Sequence, residues 1–251
     1  MSAHLYLSKA AELLQKIETT QLDQIKAGAE IMARSIAGGD AVLAFGSGHS
    51  VIPVMDLFPR YGSYVGFVPL MDARLMWTTV VGSGGAVEVI WQERQEGYME
   101  VMLRGRKFND GDSLLIFSHG GMNAAPVELA LKGKELGLPV IGVTSVANRE
   151  INQPTHSSGK SLHDIADVVI DNCSPPEDAV VPVDGVLGNV GATSTLTAVT
   201  VVMSLLSETS ALLAAAGKMP DKVFVSPNVP GVTKENNFEV YEDYITFTNN
   251  R

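Results

Sequence analysis

Five short apolar runs constrain this chain more than any other feature: AVLAF at 41–45, YVGFVPL at 64–70, SLLIF at 113–117, PVIGVTS at 139–145 and ADVVIDN at 166–172. Most of them lack the apolar–polar alternation of a half-solvated strand, so they read as strands covered on both faces. Stretches of helical spacing separate them. The combination predicts an α/β fold: a doubly wound parallel five-stranded sheet flanked by helices. Ligands of such sheets sit outside the carboxyl ends of the strands, so the loops that follow the runs are where function is sought. Pro69 cannot donate to a ladder and should end the second strand.

The remaining segments fit around that sheet. Residues 2–37 space Leu13, Leu14, Ile17, Ile25, Ala29 and Met32 by threes and fours, with an interruption near Thr19-Thr20 and a stop at Gly38-Gly39; one bent helix or two is expected. Residues 87–104 show helical periodicity through Val89, Ile90, Tyr98, Val101 and Met102 and are expected to form one helix, closed by the NDGD turn. APVELALKGKELG reads as a helix ending at Gly137. Residues 192–217 form a long late helix whose Ser, Thr and Glu208 suit a buried helix better than a membrane span. The chain from Pro220 is Pro- and Asn-rich. The expected organisation is one domain over 1–251: N-terminal helices to 39, an α/β core over 40–220 and a C-terminal tail over 221–251.

Charge and cysteine content narrow the partners. Eighteen basic against 28 acidic residues give a net charge of −10, and no Lys/Arg stripe offsets that field, which argues against nucleic acid as a partner. A small anion is compatible, because a few amides and one local cation bind it at short range. Cys173 is the single cysteine, which excludes an intrachain disulfide and a multi-thiolate zinc site. No H-x-H or H-E-x-x-H spacing calls for a metal. The polar N-terminal turns do not read as a signal peptide, so a cytoplasmic protein without membrane attachment is expected.

Two loops carry the chemistry. Gly46-Ser47-Gly48-His49-Ser50 follows the first run, and Ser118-His119-Gly120-Gly121-Met122-Asn123 follows the third. Glycines let a backbone approach an anion, and hydroxyls and free amides at a helix start donate to it. A tight turn with capping serines is the plain alternative for each loop. Both are expected to face one crevice. Thr193, Ser194 and Thr195 add hydroxyls and amides at the start of the late helix, with N-capping as the plain alternative.

AFGSGHS, LLIFSHGGMN with the following PVIGVTS, and the TSTLTAVT helix together resemble the SIS (sugar isomerase) domain of phosphosugar isomerases and sugar-phosphate-binding proteins. ERQEGYME, HSSGKSLHDIADVVIDNCSPPEDA and VFVSPNVPG extend the resemblance, over nearly the whole chain, to a bacterial subgroup similar to phosphoheptose isomerase. The resemblance implies a flavodoxin-like sheet, a homodimer or homotetramer with a shared site, no cofactor, and an anionic sugar ligand held among Ser47, Ser50, Ser118 and Asn123. This sequence departs from the pattern at Gly120, where a second hydroxyl is usual. That opens a sulfonate or carboxylate as the bound anion.

Aldose–ketose isomerisation through an enediol needs a proton-transferring base and an acid that opens the ring. Glu93 and Glu96 are three apart on the expected helix and would share a face; Glu93 is the first choice as base and Glu96 the second, and solvated surface charges are the plain alternative. His156 in PTHSSGK is the candidate acid, Lys160 a candidate anion anchor, and His49 a cation at the mouth of the first loop. Asn172 and Asp178, after the fifth run, lie where substrate hydroxyls would be met. A lyase acting on an amino-sugar phosphate and a non-catalytic sugar-phosphate sensor stand as alternatives to the isomerase.

Overall fold

The computed structural model describes residues 1–76 and 83–251. Helices α1 (Ser2–Thr20) and α2 (Leu22–Ala37) open the chain, so the N-terminal segment is two helices, joined at Gln21. Strands β1 (Val42–Gly46), β2 (Phe67–Pro69), β3 (Ser113–Phe117), β4 (Val140–Thr144) and β5 (Val168–Asp171) form one parallel sheet in the order β2-β1-β3-β4-β5. All five apolar runs are therefore strands of one doubly wound sheet, and β2 stops at Pro69.

Successive strand residues point to opposite faces, and both faces are dry. Val42, Ala44, Leu115, Phe117, Ile141 and Val143 pack with Ala29 and Met32 of α2 and with Val201, Val202 and Leu205 of α9 (Ser194–Ala215). Leu43, Phe45, Leu114, Ile116 and Val140 face the other way, onto Val127, Leu129 and Ala130 of α6 (Ala124–Glu135). Burial on both sides explains the absence of alternation in most of the runs. Helix α9 is long and apolar enough to cross a membrane by composition, with a mean hydropathy of 1.6. It packs along α2: a Cβ on Gly28 would stand 3.0 Å from Leu205 Cδ2.

Three features depart from the sequence reading. Residues 87–104 are two helices, α4 (Gly85–Gln92) and α5 (Tyr98–Met102), because Gly97 adopts φ 84° and turns the chain between them. The C-terminal tail contains a helix, α10 (Glu235–Asn249), whose Val240 is fully buried. After β5 an antiparallel hairpin of β6 (Ala179–Pro182) and β7 (Asn189–Ala192) leads into α9. Shorter helices α3 (Val51–Leu57), α7 (Val146–Ile151) and α8 (Leu162–Ile165), with single 3₁₀ turns at Gly48–Ser50 and Ala73–Leu75, complete the element list for the described residues.

Candidate functional site

The register of the sheet brings the two loops to one edge: Gly46 ends β1 opposite Phe117, which ends β3. The first loop folds back on its own strand. A Cβ on Gly46 would stand 2.0 Å from the Ser50 carbonyl oxygen, so only glycine fits there. The Ser50 N–H donates to the Ser47 carbonyl at 3.0 Å, and Gly48 takes φ 55° to close the turn into α3. The second loop is tied at both ends. The Ser118 N–H donates to Val143 O (3.0 Å), the Gly121 N–H donates to Ser118 Oγ (3.1 Å), and the Leu162 N–H donates to Gly121 O (2.7 Å). Gly121 has φ 65°, and a Cβ there would meet Thr144 Oγ1 at 2.8 Å.

Between the loops and α9 lies a small cleft lined by His49, Ser50, Ser118, His119, Asn172 and Ser194 among others; its free volume is about 10 Å³, the space of one water-sized sphere. Asn172 is buried, its Nδ2 lies 3.5 Å from His119 Nδ1, and its Oδ1 accepts from the Ser174 N–H at 3.0 Å. Burial lowers the pKa of His49, and Asp178 partly offsets that.

The amides at the start of α9 already have an anion. Asp178 Oδ1 accepts from the Thr193 N–H (2.9 Å) and the Ser194 N–H (2.6 Å), and its Oδ2 accepts from Ser194 Oγ (2.8 Å). Burial would raise the Asp178 pKa, but the bonds from Ser194 and Thr193 outweigh it and hold the carboxyl below its ordinary value. Beneath lies a fully buried hydroxyl chain, Thr193 Oγ1 to Ser174 Oγ (3.2 Å) and Ser174 Oγ to Thr197 Oγ1 (3.0 Å). Sequence reading singled out neither Ser174 nor Thr197. Thr197 lies one turn from Ser194 on α9, so the helical spacing of hydroxyls was the signal.

Glu93 joins the two loops. Its Oε2 accepts from Ser47 Oγ at 2.6 Å, its Oε1 accepts from Asn123 Nδ2 at 2.7 Å, and its carbonyl accepts the Ala125 N–H of α6 at 3.0 Å. Burial raises the Glu93 pKa above the usual value, with the Ser47 hydrogen bond and Arg94 acting in the opposite sense. A half-buried carboxyl with raised basicity is suited to moving a proton near neutral pH.

Glu93 and Glu96 do not share a helix face, because both lie in the break before Gly97. Glu96 turns the other way and accepts from the Ser157 N–H (2.7 Å) and hydroxyl, which lowers its pKa. His156 lies with it. The Ser158 N–H donates to His156 Nδ1 (3.1 Å), so the neutral ring carries its proton on Nε2, which stands 3.7 Å from Glu96 and 3.8 Å from Glu128. His156 and Glu96 border a groove over α5 and α6, not the cleft. Lys160 is exposed, and it lines neither space.

A doubly wound parallel sheet with two glycine–serine turns and a hydroxyl-rich helix start at its carboxyl edge defines an α/β protein of the class whose ligand sites lie at that edge. Residues 5–145 match the SIS domain family model, and the chain belongs to that family. A UPF0309 protein of Caldanaerobacter subterraneus subsp. tengcongensis is 33% identical over 242 residues, covering 96% of each chain, and one of Halalkalibacterium halodurans is 34% identical over 231 residues, covering 92% of this chain and 90% of that one. Among solved structures, a phosphoheptose isomerase from Francisella tularensis superposes with a TM-score of 0.51 at 17% identity, over 81% of this chain and 94% of that one. The Vibrio vulnificus NanR protein complexed with ManNAc-6P superposes with a TM-score of 0.50 at 13% identity, over 97% and 69%. The two structures share the fold with this chain.

Proposed function

We propose that the protein binds the anionic group of a small sugar derivative at the carboxyl edge of β1 and β3 and interconverts its aldose and ketose forms. The observation that carries this reading is the Glu93 carboxyl, half-buried and held by one donor from each loop. In its ionised form it takes the proton from the carbon next to the carbonyl while the carbonyl oxygen is protonated, giving an enediol. Glu93 then returns the proton to the former carbonyl carbon while the neighbouring enediol hydroxyl gives up its own proton to become the new carbonyl, so no net proton is gained or lost. Ser47 donates its hydroxyl hydrogen bond to Glu93, which leaves Ser50 and Ser118, both lining the cleft, as the hydroxyls open to the anion. The likeness to a phosphoheptose isomerase and to the NanR protein complexed with ManNAc-6P supports the ligand class.

The free cleft is far smaller than the roughly 300–1,000 Å³ of ordinary ligand sites. Asp178 holds the donors at the start of α9 that an incoming phosphate, sulfonate or carboxylate would compete for. The test is Glu93→Gln with a panel of sugar phosphates and sulfonates. Aldose–ketose conversion should fall by about 10²- to 10⁴-fold while ligand-induced thermal stabilisation persists. Unchanged turnover would sink the isomerase; stabilisation by ligands without turnover in either protein would mark a sensor.

A further inference from the structure

The amino end of the sheet holds a second space, about 340 Å³ in volume, that shares no lining residue with the cleft. Leu43 of β1, Val68 of β2 and Met102 of α5 make an apolar side, and Arg104, Arg106 and Lys107 make a basic one. A glycine turn separates Arg104 from Arg106 and Lys107. Gly105 sits at φ 80° with open space where a Cβ would be, and the Arg106 N–H donates to Leu103 O at 3.0 Å. Arg251 forms a fixed wall: its guanidinium pairs with buried Asp112 and lies 5.0 Å from the Phe247 ring centroid.

The charge there runs against the rest of the chain. With 28 acidic residues and a net charge of −10, three basic residues within four positions are ordinarily met by carboxylates. Among the described residues no carboxylate side chain lines this space; Arg104 and Arg106 also border the adjoining groove that holds Glu96, Glu100, Glu128 and Glu135, yet neither they nor Lys107 form an ion pair within 4.0 Å. Asp112, which is buried, is committed to Arg251 and to the Ala41 and Asn109 amides at 2.9 Å each. Three like charges around one concavity repel one another, and a multivalent anion removes that repulsion.

We propose that this basic cavity binds a compact polyanion carrying a diphosphate group. One phosphate carries about −1.5 to −2 at neutral pH, so a diphosphate of roughly −3 matches the three unpaired cations. The two guanidinium forks suit paired phosphate oxygens, with the ammonium as a point charge beside them. Met102, half-buried, is the apolar side chain that a ring attached to that group would meet; Leu43 and Val68 are buried in the core.

Calorimetric titration at low ionic strength tests the site with two probes, inorganic pyrophosphate and adenosine diphosphate. Both should bind, more weakly as salt is added. The double variant Arg106→Gln/Lys107→Gln should weaken both by about tenfold or more, with its thermal midpoint unchanged because both side chains are exposed. Ser118→Ala should leave binding as it was. Equal affinity for the two probes assigns the site to the diphosphate alone, and tighter binding of adenosine diphosphate assigns the apolar side to the ring. No binding of either probe, equal affinity in the double variant, or loss of binding in Ser118→Ala would each overturn the proposal. None of these outcomes bears on turnover at Glu93, so the two readings fail separately.

Discussion

Asp178 shows how much one side chain settles at this site. It is a non-glycine residue at φ 64°, a conformation that Asp and Asn tolerate better than most side chains, and its carboxylate takes the place of an anion at the start of α9. Asp178→Asn keeps the backbone preference and removes the charge. It should cost about 1–2 kcal/mol at neutral pH, read by urea unfolding. The sign of the pH effect follows from the lowered pKa. A depressed folded-state pKa stabilises above the unfolded value and is lost as pH falls through 3.8 and below, so the acid limb of stability should be shallower in the variant. An acid limb of equal slope in both proteins would show that the carboxylate is not held as described. Glu93 has the opposite sign: its raised pKa makes the ionised carboxyl less favourable in the folded state, and a small loss of stability accompanies its ionisation as pH rises.

At the scale of elements, the sheet was legible and the break that carries Glu93 and Glu96 was not. The five strands are buried on both faces, so nearly unbroken apolar runs announced them, and glycine turns at two of their ends marked the loops that the register then aligned. The break at 93–97 was hidden because Val89, Tyr98, Val101 and Met102 keep a helical rhythm across it. What ends the helix is tertiary: Glu128 of α6 accepts the Gly97 N–H and, at 3.2 Å, the Met99 N–H, capping α5 from a distance of 29 residues or more. The α10 helix was missed for a related reason. Its Asn-rich start reads as loop, yet Asn237 Oδ1 accepts the Val225 N–H at 2.9 Å and Nδ2 donates back to Val225 O at 2.9 Å, stitching the preceding segment to the helix. If Glu128 holds the break that places Glu93, Glu128→Ala should cost about 1–2 kcal/mol and lower turnover, while thermal stabilisation by ligand survives. Turnover equal to that of the parent would show that Glu93 is placed without it.

For the molecule as a whole, the question is what binds the last helix to the sheet. Helix α10 is mostly exposed, with Val240 its one fully buried residue, and apolar burial alone holds it loosely. The stronger tie is at its far end, where Arg251 reaches Asp112 just before β3. That carboxylate also accepts the Ala41 N–H next to β1 and the Asn109 N–H, so a single buried group joins two central strands and the C-terminus. Its side chain is fully buried, so removing it leaves the largely buried Arg251 guanidinium and the buried Ala41 amide without this partner. Asp112→Ala should destabilise by about 3–5 kcal/mol in chemical unfolding. Hydrogen exchange separates a local from a global effect: faster exchange in both α10 and the start of β3 is expected. If Arg251→Met, which removes only the guanidinium, leaves exchange in α10 unchanged, the ion pair is not what holds the helix, and Asp112 serves the strands alone.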